Sequence, residues 1–334
     1  MTQPTPETIW TLNEKDFLDL LESPLFKLKH REIHFYAPSF TFYKTRYYSS
    51  SPNSFPTISV TGTACALKCK HCGGKVLETM HPAISPKELF DLCTKLKEDG
   101  SQGCLVSGGC LPDGSVPLDG FMSVLGKIRR ELGLTLFVHT GIINFETAFS
   151  LKKAGIDAAL IDVIGSAETI KKIYNLKVSP RDYAESLNAL DKAELAFVPH
   201  VIVGLNEGRL DGELDALKMI SQVKPSALVI IAFMPIHDTD MAKTPPPKPV
   251  DIAKVTAIAR LMFPRTPLIL GCMRPKGSAR GTIDVLALKA GVDAVAFPSE
   301  DAIEYLQNRH FRFSFSSFCC AQMYLDANQS RTPQ

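Results

Sequence analysis

Three cysteines are the residues whose spacing most directly indicates chemistry. Cys65, Cys69 and Cys72 form the pattern Cys-x3-Cys-x2-Cys, in a loop after the strand-like run 57–60. Structural zinc sites close with four protein ligands, whereas cysteine thiolates are the usual ligands of four-iron clusters. Three thiolates leave one corner of a compact metal centre open to a substrate. We therefore predict that this loop holds a [4Fe-4S] cluster.

A zinc site is the alternative, with His71 or a remote cysteine as the fourth ligand. The chain contains 9 cysteines, an odd number. In an intracellular protein, this count favours metal or catalytic use over disulfides. Cys93 and Cys104 fall within a helical and a strand-like pattern, so we expect both to be buried in the core.

Composition excludes several classes of function. The 334 residues are 45% hydrophobic and 22% charged, and the net charge of +2 is spread without a basic tract, so nucleic-acid binding is not indicated. No apolar run is long enough to span a bilayer, and residues 1–4 lack the features of a signal peptide. We expect a soluble, cytoplasmic protein that does not bind membranes.

From residue 57 onward, short β-branched runs alternate with helical periodicities. The predicted strands are 57–60, 103–106, 134–139, 158–163, 197–203, 227–233, 268–271 and 294–297. The predicted helices are 86–98, 118–132, 144–154, 180–192, 211–222, 250–262, 281–290 and 299–308. Strict alternation favours parallel strands covered by helices. Eight such pairs predict an α/β fold, a TIM-type (β/α)8 barrel that is full or nearly closed.

The rest of the chain flanks this barrel. Residues 1–55 are predicted to be an N-terminal extension, with a helix capped near Asn13 and an extended aromatic stretch at 34–38. Residues 56–309 form the predicted barrel. We expect residues 310–334 to be a tail that folds over the barrel mouth.

An internal repeat marks two positions at which a helix ends and the next strand begins. The sequence Lys-Ala-Gly-Ile-Asp-Ala at 153–158 recurs as Lys-Ala-Gly-Val-Asp-Ala at 289–294, each time between a helix and a strand. Each glycine suits a left-handed helix cap. Two ordinary turns and a duplicated half-barrel explain the repeat equally well.

Active sites of such barrels lie at the C-terminal ends of the strands. There the second strand is followed by Ser107, Gly108, Gly109 and Cys110, and small residues let backbone groups approach a ligand. His139 ends the third strand. Its role is that of a ligand, a proton donor or a hydrogen-bonded histidine at the barrel mouth.

The cysteine spacing after a first strand resembles the radical S-adenosylmethionine (SAM) enzymes. That resemblance implies that the open iron binds SAM, which is cleaved to methionine and a 5′-deoxyadenosyl radical. Ser107, Gly108 and Gly109 resemble the segment that receives the methionine amino group, although Cys110 replaces its acidic residue. Asp162, at the end of the fourth strand, resembles the acidic residue that binds the ribose, and Ser166 is free to cap the next helix.

Further segments resemble biotin synthase-like members of the family over residues 57–300. Arg181 matches an arginine that meets the SAM carboxylate, a planar anion that suits a guanidinium. Ile202, Gly204 and Glu207 match the segment that packs on adenine, although His200 replaces its first glycine. Met234 precedes a Pro-Ile-x-x-Thr segment that is also similar, and we expect it to contact SAM.

Biotin synthase itself is disfavoured, because Phe137 and Val198 stand where that enzyme has ligands of its second cluster. Four other cysteines are available for a second, auxiliary cluster if the tail folds back: Cys110, Cys272, Cys319 and Cys320. Packing is the alternative role of Cys272, Cys319 and Cys320.

The segments Gly-Cys-Met-Arg-Pro at 271–275 and Phe-Cys-Cys-Ala at 318–321 resemble one component of the two-protein lipoyl synthases. This implies sulfur insertion into an octanoyl chain on a carrier lysine, with an auxiliary cluster as sulfur donor. The implied partners are an octanoylated carrier (H protein or E2 lipoyl domain), a second synthase component and a reducing ferredoxin or flavodoxin. Ile236, Phe297 and the tail phenylalanines are candidates to line an acyl channel; Arg274 and Lys276 are candidates to position the auxiliary site or carrier.

Two other functions remain open at this point. The chain would be a radical SAM enzyme of another type, such as a methyltransferase or a rearrangement enzyme, if its late cysteines are structural. It would be a non-catalytic iron–sulfur or metal-binding protein if no 5′-deoxyadenosine forms under strong reductant.

Overall fold

A computed structural model describes residues 4–26, 32–39, 41–51 and 53–329. Its strands are β1 (Ile33–Tyr36), β2 (Thr57–Ser59), β3 (His81–Pro82), β4 (Gly103–Ser107), β5 (Thr135–His139), β6 (Ala158–Asp162), β7 (Phe197–Val203), β8 (Leu228–Ala232), β9 (Leu268–Leu270), β10 (Ala294–Ala296) and β11 (Phe313–Ser316). Its α-helices are α1 (Pro6–Thr11), α2 (Glu14–Leu21), α3 (Pro86–Glu98), α4 (Met122–Leu132), α5 (Phe145–Ala154), α6 (Ala167–Thr169), α7 (Pro180–Lys192), α8 (Glu213–Ile220), α9 (Pro249–Met262), α10 (Ala279–Lys289), α11 (Glu300–Gln307) and α12 (Met323–Gln329). A π-helical turn, Ile170–Tyr174, continues α6.

All described strands form one parallel sheet in the order β11-β1-β10-β9-β8-β7-β6-β5-β4-β2-β3. The eight strands and eight helices predicted from the sequence are all present, with ends that differ by up to four residues. The α/β prediction is therefore confirmed. Parallel pairing also brings the carboxyl ends of the strands to one edge, where the cysteine loop follows β2.

A closed ring of eight strands is not confirmed by the described residues. The N-terminal strand β1 occupies the free edge of β10, with His34 paired to Ala294, and β11 then adds to β1. Strand β10 therefore cannot close the ring on β2, and the sheet remains open between β11 and β3. Sequence periodicity in the barrel carries no information about these two additional strands.

The two flanking regions pack against each other. Phe35 of β1 contacts Phe313 and Phe315 of β11, with ring centroids 5.6 and 5.2 Å apart. The tail was expected over the barrel mouth, at the carboxyl ends of the strands. Cys319 lies near Cys272, which follows β9, so this part of the tail is at that edge. The Tyr324 hydroxyl donates a hydrogen bond to the carbonyl of Asp157, just before β6, so the last helix also reaches the amino end of that strand.

The repeated turns into β6 and β10 have the same structure. Gly155 and Gly291 adopt the left-handed conformation predicted for them, with φ of 78° and 95°. Asp157 accepts a hydrogen bond from the backbone N–H of Leu136, and Asp293 accepts one from that of Leu268. Each aspartate thus ties its turn to the start of the neighbouring strand, and an arginine from a helix pairs with each.

A fully buried ion pair joins the last two strands of the predicted barrel. Arg274 donates to the Asp284 carboxylate at 2.8 Å and to the Gly271 carbonyl at 2.5 Å. The other Asp284 oxygen accepts from the Ser299 N–H at 2.8 Å. Buried charges need such complete pairing. Arg274 thus ties the loop after β9 to α10, whereas Lys276 is exposed.

None of the helices within the described ranges is long and apolar enough to cross a membrane.

We predict that Arg274→Ala lowers the free energy of unfolding by about 3–5 kcal/mol, because it leaves the Asp284 carboxylate buried without its partner. Urea denaturation followed by circular dichroism measures the change. The control Lys87→Ala removes an ion pair with Asp91 from a side chain that is 86% exposed. It should cost less than about 1 kcal/mol. Equal losses in the two variants would contradict the structural role of Arg274.

Candidate active site

The cysteine loop is attached to the end of β4 by a short set of hydrogen bonds. The Gly109 N–H donates to the Thr61 hydroxyl at 2.7 Å, and that hydroxyl donates to the Ala64 carbonyl at 2.9 Å. The Ala66 N–H donates to the Cys110 carbonyl, also at 2.9 Å. The loop has little regular structure, so these bonds determine where its thiols lie.

Gly109 allows the two loops to approach this closely. A Cβ at this position would lie 2.0 Å from the Ala64 carbonyl oxygen and 2.6 Å from Cβ of Cys65. No side chain fits there without a backbone shift. The sequence predicts that small residues after this strand let backbone groups approach closely. In the structure, the segment that approaches them is the cysteine loop.

Three potential ligand atoms of the loop, from Cys69, His71 and Cys72, lie within 4.8 Å of one another. A hydrogen bond from Cys69 and the effect of His71 together lower the pKa of Cys72 to about 4, against the opposing effect of burial. Cys65 lies close enough to Cys110 that its charge, after burial, contributes to raising the pKa of the Cys110 thiol to about 12. Cys110 therefore lies beside the cysteine loop.

The π-helical turn covers the other side of the loop. Its Ile173 carbonyl accepts from the Lys70 N–H at 2.9 Å, and its Tyr174 carbonyl accepts from the Cys69 thiol at 3.6 Å. The rings of His71 and Tyr174 lie 5.1 Å apart. The buried Nδ1 of His71 and the buried Tyr174 hydroxyl have no hydrogen-bond partner within the described structure. Unpaired buried polar atoms next to the thiols of Cys69 and Cys72 fit a centre completed by a bound group.

Two histidines and an aspartate lie together, at the ends of β5 and β6 and in the middle of β7. His139 Nε2 is 3.6 Å from a carboxylate oxygen of Asp162, and the His139 and His200 rings are 6.0 Å apart. Burial lowers the pKa of His200 to about 4, so this ring is neutral at pH 7. Burial opposes ionisation of Asp162, but His139 and His200 keep its pKa below the usual value. An ionised carboxylate is therefore available as a hydrogen-bond acceptor.

The loops after β6 and β7 are held by two acids that sequence analysis did not identify. Asp211 accepts from the hydroxyls of Ser166 and Thr169 at 2.6 and 2.8 Å. Buried Glu213 accepts from the Gly204 N–H at 2.8 Å, and burial raises its pKa to about 7. Ser166 also caps α6, as predicted. Residues 211–213 fall within the helix predicted at 211–222, and the two hydroxyl partners of Asp211 are more than 40 residues away in sequence, so neither role was predictable.

The remaining predicted SAM contacts lie in different environments. Ser107 and Gly108 adjoin the cysteine loop, Ile202 is buried on β7, and Met234 is half-buried after β8. Glu207 is exposed and pairs with a lysine. Arg181 is 85% exposed and pairs with Glu185 one turn along α7, so the structure does not place its guanidinium in the interior.

Three cysteines form a second group away from the cysteine loop. Cys272 follows β9, and its pKa is raised to about 11 by burial and then by the nearby thiolate of Cys319. The hydrogen bond that the adjacent Cys320 shares with Cys319, together with burial, raises the pKa of the Cys320 thiol. The charge of Cys272 also raises this pKa, whereas the charge of Arg274 lowers it. Of the four cysteines proposed for an auxiliary site, Cys272, Cys319 and Cys320 lie near enough to affect one another's pKa, although among the described residues their ligand atoms do not form a set within 4.8 Å, and Cys110 lies beside the cysteine loop instead.

Comparison with known proteins indicates a family. Residues 59–217, which contain the cysteine loop, match the model of the radical SAM superfamily. The chain is similar to the radical SAM enzymes over this segment. It is 24% identical to a biotin synthase from Synechococcus elongatus over 301 residues, covering 86% of this chain and 88% of the relative. It is also 24% identical to a biotin synthase from Neorickettsia sennetsu over 249 residues, covering 72% of this chain and 74% of the relative.

Two solved structures share the fold. HydG, a maturase of the [FeFe]-hydrogenase, superposes with a TM-score of 0.65 and 17% identity, over 97% of this chain and 74% of that protein. Methylornithine synthase superposes with a TM-score of 0.62 and 16% identity, over 94% and 95% of the two chains. The cofactors of this protein are a [4Fe-4S] cluster and SAM. Cys65, Cys69 and Cys72 are the residues that would hold the cluster.

We predict that Gly109→Ala weakens cluster binding, because the added methyl group displaces the cysteine loop at a cost of about 1–3 kcal/mol. A loss of this size lowers occupancy of the site by at least roughly fivefold when binding is limiting. Iron and sulfide per chain after anaerobic reconstitution measure the effect. In the control Gly120→Ala, the new Cβ meets nothing within 4 Å. Normal iron content in Gly109→Ala would show that the close approach is not required.

Proposed function

We propose that this protein is a radical SAM enzyme that inserts sulfur into an unactivated carbon of an octanoyl chain carried on a lysine of another protein. The observation that supports this proposal best is the presence of two separate cysteine groups. Cys69 and Cys72 lie together with His71, and Cys65 lies near enough for its charge to add to the effects of Cys72 and burial in raising the pKa of the Cys69 thiol; the other group joins Cys272 to the tail cysteines. Radical generation and sulfur donation are different tasks, and each would have its own set of thiols.

The second group has the chemical features of a ligand set. Its thiols come from a loop after β9 and from the tail, so the fold brings together residues that are far apart in sequence. The buried guanidinium of Arg274 opposes the rise in the pKa of Cys272 and Cys320 caused by burial and by neighbouring thiolates. A positive charge of this kind favours the thiolates that iron requires. Under this proposal, Cys272, Cys319 and Cys320 hold the auxiliary cluster.

The chain's own groups would orient and shield the reactants. The cluster and SAM, when bound, supply a carbon-centred radical that abstracts hydrogen. Ionised Asp162 would accept from the ribose hydroxyls, and the backbone of Ser107, Gly108 and Gly109 would receive the methionine end. Such a radical attacks any C–H bond within reach, so the site must hold the acyl chain close and exclude solvent.

Apolar side chains after β8 and β10 support binding of an acyl chain. Phe297 is buried after β10 and packs on Tyr43 at 5.6 Å, and Ile236 is half-buried after β8. The tail phenylalanines are less suited to a channel, because Phe315 stacks on Tyr48 at 4.7 Å and Phe318 packs on Phe55 at 6.3 Å. We therefore assign the tail rings to packing and retain Ile236 and Phe297 for the acyl chain.

The choice of substrate rests on the segments 271–275 and 318–321, which resemble one component of the two-protein lipoyl synthases. The proposed partners follow from that resemblance. They are an octanoylated H protein or E2 lipoyl domain, a second synthase component, and a ferredoxin or flavodoxin as reductant. The biotin synthase relatives support sulfur insertion as the reaction class, although they do not indicate this substrate.

We predict that the anaerobically reconstituted enzyme, given SAM, dithionite and an octanoyl-lysyl peptide, yields 5′-deoxyadenosine and a peptide heavier by sulfur. Mass spectrometry measures both products. Cys272→Ser and Cys319→Ser should still cleave SAM while losing most sulfur transfer, because they affect the proposed donor only. Iron per chain should fall in parallel.

Cys104→Ser is the matched control, since this buried thiol lies beside Cys93, between β4 and α3, and belongs to neither group. It should retain sulfur transfer. SAM cleavage without any gain of sulfur would indicate a radical SAM enzyme of another reaction type. The absence of 5′-deoxyadenosine would contradict enzymatic function altogether.

A further inference from the structure

We propose that a cluster of lysines beside the cysteine loop is the docking surface for an acidic protein that donates single electrons. The inference rests on the proposed function, because it concerns delivery of the electron that SAM cleavage consumes. The surface, here called the lysine pocket, encloses about 520 Å³. Its lining residues are Lys68, Lys70, Glu168, Lys171, Lys172, Asn175 and Asp240.

The lysine pocket is built on the two backbone segments that hold the thiol of Cys69. Lys68 and Lys70 are the residues on either side of Cys69. Lys171 and Lys172 belong to the π-helical turn, whose next two carbonyls accept from the Lys70 N–H and the Cys69 thiol. A protein bound to these ammonium groups would therefore lie against the backbone around a cluster ligand. The electron would have a short path to the cluster.

The charge balance of this surface favours an acidic partner. Glu207 pairs with Lys172 at 2.7 Å, and Arg209 lies near enough to Glu207 to lower its pKa, after the larger effect of Lys172. With these two residues, the region has five cations (four lysines and Arg209) and three anions (Glu168, Glu207 and Asp240), a net charge of +2. The whole chain has 37 basic and 35 acidic residues, also a net charge of +2 but spread over many more charges. The charged residues of this region are therefore more predominantly basic than those of the whole chain.

The backbone at Lys68 is a second, independent observation. Its φ is 45°, in the left-handed region that favours glycine and asparagine, yet the residue is a lysine with an exposed side chain. Backbone strain of this kind persists where the surrounding structure imposes it, and it is concentrated at functional sites. A charged side chain at the strained position, next to a cluster ligand, is consistent with recognition of a negative partner.

The form of the lysine pocket favours a protein over a small anion. The lining mixes ammonium and carboxylate groups, and Glu168 and Asp240 would repel a phosphate placed among the lysines. Complementary charged surfaces between proteins tolerate such a mixture, and they act mainly by accelerating association. In the proposed step, the reduced partner loses one electron and the [4Fe-4S] cluster gains it, without transfer of atoms.

The test compares two reductants of opposite charge on the reconstituted holoenzyme. Reduced flavodoxin is an acidic protein, and reduced methyl viologen is a small cation. In Lys171→Glu, we expect cluster reduction by flavodoxin, followed by stopped-flow absorbance at low salt, to slow by roughly five- to tenfold. Reduction by methyl viologen should not slow. Raising the ionic strength to about 0.5 M should remove most of the difference, because salt screens exposed charges.

Binding gives a readout that does not depend on turnover. Isothermal titration of the protein with flavodoxin at low salt should show a Kd raised by a similar factor in Lys171→Glu, and by a smaller factor in Lys68→Gly, which removes one charge without reversing it and also relieves the left-handed backbone. Lys95→Glu, an equal charge reversal on the outer helix α3, should leave both measurements unchanged.

Other outcomes would overturn the inference. If flavodoxin reduces Lys171→Glu as fast as the unaltered enzyme, the lysine pocket is not the docking surface. Equal slowing by both reductants would assign Lys171 to the integrity of the site, and equal slowing in Lys95→Glu would assign the effect to overall charge. None of these measurements requires sulfur transfer, so failure of the proposed substrate would be recognised separately.

Discussion

The site depends on the close approach of two backbone segments at the ends of β2 and β4. Gly109 lies against the Ala64 carbonyl and Cys65 with no space for a Cβ, while its N–H is held by Thr61. The cysteine loop is irregular, and without this contact nothing in its own sequence would determine the positions of three thiols. A parallel sheet supplies the contact, because neighbouring strands end at the same edge. The sheet therefore determines the position of the loop, although the loop has no secondary structure of its own.

The two additional strands explain how a second cysteine group arises. If β10 closed the ring on β2, residues after α11 would have no place in the sheet. Because β1 occupies the edge of β10 and β11 follows it, the chain re-enters the sheet and then turns inward. Cys319 and Cys320 thus come beside Cys272, and Tyr36 at the end of β1 holds the tail through hydrogen bonds to Met323 and Asp326. An open sheet and a buried tail are consequences of the same pairing.

Sequence reasoning succeeded where the signals were local and failed where they were distant. The cysteine spacing, the left-handed Gly155 and the cap at Ser166 each depend on a few neighbouring residues, and each could be predicted. The pairing of β1 with both β10 and β11 joins segments more than 250 residues apart, and no periodicity encodes it. Arg181 shows a related limit, because a family pattern gives a residue's identity but not the direction of its side chain.

Electrostatics distinguishes the inner and outer faces of the cysteine loop. On the inner face, burial keeps His200 neutral and leaves ionised Asp162 as a hydrogen-bond acceptor, in an environment where hydrogen bonds are strong. On the outer face, lysines project from the same loop into solvent, where charges interact weakly but over longer distances. A short loop can thus present thiols to the interior and cations to a partner, because alternate residues around Cys69 point in opposite directions. Electron entry and radical chemistry would then occur on opposite sides of one cluster, which keeps the reactive interior closed while the donor protein binds and leaves.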